Sequence, residues 1–519
     1  MNKNLIKIIK TLSPEERRFF KLREHIYAKA NQKIYMALYA RIVAAIDRGE
    51  DNPEDEILKE LLTSDNTLTS AKIQSAGNYL YEILTQSLRH QYEDKNQDIE
   101  LRNILYEGKI LEQRGMQEAA IEKYEFVLAK SLKYQMHHLS LEVIKVIVSL
   151  FSQFDPKNYV SMIRKHLGDM TAINQLLYNE TNLFNINYDL FVIYRTKSNT
   201  QDKETLERIR YGIQQLEKLP KNEENFWDNI YYNLIGATLA QLKDSPVEAQ
   251  ERYERIIAIW DEEKFAQMKH LYMRTYIIHL GNCITFCIIN FDYYKVKKFI
   301  DIFHEVKSNN IDEEAEIFQI LNYFEHLYLL NTGDLEKAKF MESAILRGID
   351  KYKGKINKAR KRTFFYNMML VNFALENYSD ALDFHKMLLE KSPHREDLSI
   401  GGQLFELIIL YKQKTHGKLD TKVKALIANL SYKKIYHDFE RIVLNLLTKA
   451  IRFEDAHPDE ANKKKHLLPM FEEARSKLEV MAQREDFIAP ESFKAIELWI
   501  LSEIEGRPFA EYLKAKFAN

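Results

Sequence analysis

Along the first ninety or so positions, apolar residues recur three and four apart, the spacing of one face of an α-helix. Lysines interrupt Leu5, Ile6, Ile8 and Ile9 every few positions, which predicts an amphipathic helix start and not a signal peptide. Ser13-Pro14-Glu15-Glu16 has the form of a helix cap. Ser13 accepts backbone N–H bonds, Pro14 suits the first helical position, and Glu16 closes a capping box. Phe19, Phe20, Leu22, Ile26 and Tyr27 then make an apolar stripe. A polar break from Asp47 to Asp55 precedes a short helix around Ile57–Leu62. Thr69 or Ser70 caps a longer one carrying Tyr79, Leu80, Ile83, Leu84 and Leu88. These elements predict a separate N-terminal helical unit over residues 1–95.

From residue 96 onward the pattern repeats. Ile104, Gly108, Leu111, Gly115, Ala120 and Tyr124 place small and bulky residues at intervals that suit two antiparallel helices in close contact. Tyr232, Gly236, Leu239, Ala249 and Tyr253 repeat that order with one extra residue in the turn, and Leu280, Tyr293 and Val296 follow it weakly. Leu329, Gly333, Leu335 and Ala338 continue it, then Phe365, Met368, Tyr378, Ala381 and Pro393. Ala338 and Ala381 are about 43 residues apart, Val296 and Ala338 about 42, and Ala249 and Val296 about 47. Ala120 and Ala249 are separated by about three such steps, which implies two unmatched repeats between them.

At these residues the chain resembles the tetratricopeptide-like (TPR-like) superfamily over roughly residues 100–395. The resemblance implies an all-α fold: a TPR-like α-solenoid of about seven helix-pair repeats over residues 96–400. HEAT-type repeats, whose period is nearer ~43, are the alternative architecture. The opening Leu12-Ser13-Pro14-Glu15-Glu16-Arg17-Arg18-Phe19-Phe20-Lys21, with Tyr79-Leu80-Tyr81, also resembles long helical proteins of Bacteroidota-like bacteria. No function attaches to that group. After Gly401-Gly402, which reads as a break, degenerate repeats and a C-terminal helical cap are expected over residues 401–519, ending in Phe509–Phe517.

Composition supports helices. Gly (15) and Pro (10) are scarce in 519 residues, and turn-rich β or α/β folds need more of both. A formal net charge of −1 supplies no field to draw in nucleic acid or an anionic membrane. The stretch Tyr276 to Phe291 carries His279, Asn282 and Asn290 and is short for a bilayer span. Cys283 and Cys287 are the only cysteines and read as small buried hydrophobes, so a cytoplasmic location is expected.

No nucleotide-binding loop, metal-binding histidine pair or nucleophile elbow is present, so no catalytic residue, metal or cofactor is assigned. His137-His138 reads as a surface pair, because adjacent helical residues diverge by about 100°. The N-terminal helix pair invites a helix-turn-helix reading, but its second helix opens with a single lysine, Lys72, and nucleic acid is not the expected partner. The expected function is non-enzymatic protein or peptide binding, as a scaffold or adaptor. In peptide-binding tetratricopeptide domains, an asparagine on the first helix faces the groove; the resemblance puts Asn282 and Asn367 there, with Asn233 one residue off and Tyr106 departing from the pattern. The basic run from Lys351 to Arg362, with Lys358, Lys361 and Arg362, is a candidate for acidic partner groups. A peptide-responsive regulator, with the N-terminal unit as effector, is the alternative.

Overall fold

The structure is a computed structural model. It describes all residues except 1–2, 28–32, 49–53, 65–68, 93–95, 153–155, 197–202, 309, 390–395, 434, 458–462, 485–486, 488, 491 and 516–519. Pro393 and parts of the breaks at 47–55 and 455–459 therefore lie outside the described residues. Among those described, every regular element is helical, so the chain is all-α. It divides into two compact units: Met1–Asp292 with Lys307–Glu314, and Tyr293–Val306 with Ala315–Asn519.

The first unit begins with helices Lys3–Thr11, Pro14–Tyr27, Lys33–Asp47, Glu54–Ser64 and Ser70–Tyr92. They share a core that includes Leu5, Ile9, Phe20, Tyr39 and Leu80. The capping box forms as read. The Ser13 N–H donates to Glu16 Oε2 at 2.6 Å, and the Glu16 N–H donates to Ser13 Oγ at 3.2 Å. At the fifth helix, Thr69 is the capping residue, its Oγ1 accepting from the Lys72 N–H.

Helices Gln97–Gln113 and Gln117–Lys133 follow as an antiparallel pair. Ala120 and Tyr124 are fully buried between them. Helices Phe226–Leu242 and Pro246–Asp261 form a second pair, around fully buried Ala249. Between these pairs the two helix-pair repeats expected from the spacing do not form. In place of two further regular repeats the chain runs through His137–Phe151, a 41-residue helix Pro156–Thr196, and Lys203–Lys218. Among the described residues no left-handed residue lies between Gln135 and Asp244, so nothing turns the long helix back at the usual interval.

In the second unit a continuous apolar core extends from Leu329 to Leu513. Its helices include Leu335–Lys351, Lys358–Ala374, Tyr378–Leu388 and Glu396–Lys412. Ala338 and Ala381 are both fully buried. Gly401 and Gly402 lie inside helix Glu396–Lys412 and do not break the chain, so the boundary read at 400/401 falls within a helix. They are contact points: a Cβ on Gly401 would meet Ser492 Cβ at 2.7 Å, and one on Gly402 would meet Leu388 Cδ2 at 2.7 Å.

Among the described residues, seven helix-to-helix turns share one geometry. At Gly115, Gln135, Asp244, Phe291, Gly333, Glu376 and Lys414 the backbone adopts positive φ, between 51° and 76°. Each of these N–H groups donates to the carbonyl three residues back, and the next N–H to the carbonyl five back. At Glu376, for example, the acceptor is Phe373, and Asn377 donates to Asn372. This is the Schellman termination, which satisfies the last carbonyls of the first helix and reverses the chain. Only two of the seven use glycine, so the turn recurs where its sequence signature does not.

Candidate functional site

The six residues singled out from the sequence fall in both units, Asn233 and Asn282 in the first and Lys358, Lys361, Arg362 and Asn367 in the second. Asn233, on helix Phe226–Leu242, is partly exposed and lines a cleft in the first unit, with its Nδ2 donating to the Asn229 carbonyl at 2.9 Å. Asn282, on helix Met273–Ile289, is half-buried and engages the hydroxyl of Tyr253, whose ring stacks on Phe286 at 5.3 Å.

In the second unit the expectation of an open asparagine is corrected at Asn367, which is only 4% exposed. The whole run from Arg362 to Ala374 is buried. Its near-continuous apolar sequence covers every side of the helix, which makes it a core helix and not a groove wall. Arg362 is also buried and turns inward to the hydroxyl of Ser399. Lys361 lies over the Phe365 ring at 5.4 Å and Arg360 over Tyr323 at 3.9 Å, whereas Lys358 points to solvent. Lys358, Lys361 and Arg362 thus sit in three different environments.

A large cleft of the first unit, about 620 Å³, was not legible in the sequence. It gathers residues at or near the starts of several helices: Asp98 and Arg102, His137, Trp227, Tyr272, and Glu313. Glu180 reaches it from the long helix. Asn96 and Asn310 cap two of these helices, each accepting two backbone N–H bonds, so the helix ends are satisfied from within. The histidine pair splits, since His138 is exposed but His137 is buried. The surface reading is corrected for His137, whose Nδ1 lies 3.3 Å from Glu180 Oε2. Arg102 is held by Asp98 at 3.0 Å. Trp227 and Tyr272 meet edge to face at 4.8 Å and supply an aromatic wall.

Beside this cleft, Asp228 is 3% exposed, and neither carboxylate oxygen has a hydrogen-bond partner. Burial, reinforced by Glu180 and opposed by His137, pushes its carboxyl up to about 7. Nothing in the local sequence Phe226-Trp227-Asp228-Asn229 distinguishes it from an ordinary first-turn aspartate at a helix start.

Cys283 and Cys287 are both buried. Among the described residues, no group of three or more His, Cys, Asp or Glu side chains is placed to hold a metal ion. Among the same residues, no helix is long and apolar enough to cross a membrane. No family model, curated protein or solved structure matches this chain.

Proposed function

We propose that this protein is a non-catalytic, tetratricopeptide-like helix-pair repeat protein that binds a partner protein through the large cleft of its first unit. The observation that carries the reading is the convergence of several helix starts and Glu180 on one polar, aromatic-walled cleft of about 620 Å³. The recurrent Schellman turn supports the repeat half of the proposal, because one chain-reversing turn recurs between successive helices.

The cleft's chemistry indicates a basic partner segment. Asp98, Glu180 and Glu313 bring three carboxylates to the lining, with Arg102 beside Asp98 and His137 beside Glu180, and among the described residues no lysine lines the cleft. Trp227 and Tyr272 add ring faces that attract a lysine or arginine head group by cation–π contact. Exposed aromatics on the long helix, among them Tyr178, Phe184, Tyr188 and Phe191, extend the apolar surface offered to a protein partner. Affinity capture with the intact chain, compared with a Trp227→Ala/Tyr272→Ala variant, tests this. A partner retained by the wild type and lost by the variant supports the reading, whereas identical captured sets refute it.

A further inference from the structure

In the second unit, helices Asp438–Ala456 and Lys463–Ala482 pack side by side. Asp438 pairs with Arg484 at 3.4 Å and Lys449 with Glu473 at 3.2 Å, so the two segments run antiparallel. An open groove of about 410 Å³ lies along them. On the first helix its lining residues Arg441, Ile442, Asn445, Leu446 and Lys449 recur at the spacing of one helix face. On the second, Met470, Glu473, Ala474, Lys477 and Met481 do the same over about three turns, roughly 16 Å. The floor is apolar. Leu446, Ala474 and Met481 are buried, Ile442 and Met470 are partly so, and Val480 beside them is 63% exposed. The rim is charged and unbalanced: among the described residues, Arg441, Lys449, Lys477 and Arg484 line it against Asp438 and Glu473. Asp438 is shared by the two arginines and Glu473 by the two lysines, so each carboxylate answers two cations and positive charge is left over. All six side chains are exposed, and such surface pairs are weak enough for an incoming carboxylate to exchange into.

We propose that this groove docks an acidic amphipathic helix of a partner protein. Its apolar side chains, three and four residues apart, lie on Leu446, Ala474 and Met481, and its flanking Asp and Glu residues meet Arg441, Lys449, Lys477 and Arg484. The shape favours a helix, because an antiparallel pair offers a third helix a straight apolar furrow about three turns long. Met470 and Met481 are flexible enough to fit the side chains that enter it. The charge selects the partner. A basic segment meets the uncompensated cations, and a second copy of this chain lying face to face brings the same positive excess against itself. A helix of three turns is marginal alone in water, so the docking segment orders as it binds. The groove is opposite in charge to the large cleft of the first unit, calls for a different partner and does not rest on that reading.

Fluorescence anisotropy of the full chain with labelled model peptides tests the proposal. One peptide carries a leucine stripe at helical spacing flanked by glutamates, a second has lysines in place of the glutamates, and a third has the first one's composition in scrambled order. The glutamate peptide is expected to bind saturably, and the other two at least about tenfold more weakly. Lys449 and Lys477 are exposed, so Lys449→Glu/Lys477→Glu leaves the fold intact while inverting the charge of the lining. This variant is expected to prefer the lysine peptide over the glutamate peptide by about tenfold, a reversal that non-specific adhesion does not give. Val480→Asp, at another exposed position, is expected to weaken the glutamate peptide about tenfold by spoiling the apolar floor. The proposal is overturned if no peptide binds at about 1 mM, if the wild type takes both charged peptides alike, or if the charge-inverted variant keeps the wild-type preference. It is also overturned if sedimentation shows a dimer that Val480→Asp dissociates, since a second copy then occupies the groove.

Discussion

A Cβ placed on Gly108 would lie 2.4 Å from Cε1 of Tyr124, so the two helices of this pair meet at a point where only glycine fits. The Tyr124 ring is fully buried and its hydroxyl donates to Glu112 at 2.8 Å, which leaves it no room to withdraw. Gly108→Ala is therefore expected to destabilise the protein by about 1–3 kcal/mol, despite the better helix propensity of alanine. Gly168, in the long helix, has no atom within 4 Å of its would-be Cβ. Gly168→Ala is expected to stabilise by about 1 kcal/mol. Urea midpoints of the two variants should move in opposite directions, and equal shifts would contradict this packing.

The shared turn makes its own forecast. Glu376 takes φ of 60°, a conformation that costs a non-glycine residue roughly 1–2 kcal/mol. Glu376→Gly removes that cost and is expected to raise the melting temperature, whereas Gly333→Val introduces it at φ of 72° and lowers it. If Glu376→Gly destabilised the chain, the Schellman assignment at that turn would be wrong.

Asp228 gives a pH signature. Its carboxyl is raised from 3.8 to about 7, so between those values the folded chain binds more protons than the unfolded one, and stability falls as pH rises. Asp228→Asn is thus expected to stabilise the protein at pH 8, with the gain shrinking as pH falls toward about 4. A gain that stays constant across a thermal-unfolding pH series would show that Asp228 ionises normally.

His279 and His326 act in the opposite sense. Burial holds both near 4, below their ordinary 6.5, and the Trp260 Nε1–H donates to His279 Nδ1 at 3.1 Å. In the window from about 6.5 down to about 4 the unfolded chain binds more protons, so stability is lost as pH falls. Replacing His326 with Gln should flatten the acid limb of the stability curve; an unchanged limb would place its titration elsewhere.

Local signals were legible where they are self-contained. The Ser13–Glu16 box, the turns at Gly115 and Gly333, and the buried alanines at 120, 249, 338 and 381 each depend on neighbours a few residues away or on a fixed repeat spacing. The turns at Gln135, Asp244, Phe291, Glu376 and Lys414 carry no glycine, and the long helix Pro156–Thr196 has no stop signal where the repeat spacing asks for one. The burial of Asn367 is legible in the sequence, because the run Thr363-Phe364-Phe365-Tyr366-Asn367-Met368-Met369 places apolar residues on every face. The large cleft was out of reach, since Asp98, Glu180, Trp227 and Tyr272 are brought together only by packing.

Hydrogen exchange of the intact chain, with and without the captured partner, tests partner binding at the large cleft most directly. Slowed exchange is expected, confined to the cleft segments around residues 96–102, 135–139, 225–229 and 270–273. Protection falling instead on helices Asp438–Ala456 and Lys463–Ala482, or nowhere in the first unit, would contradict it.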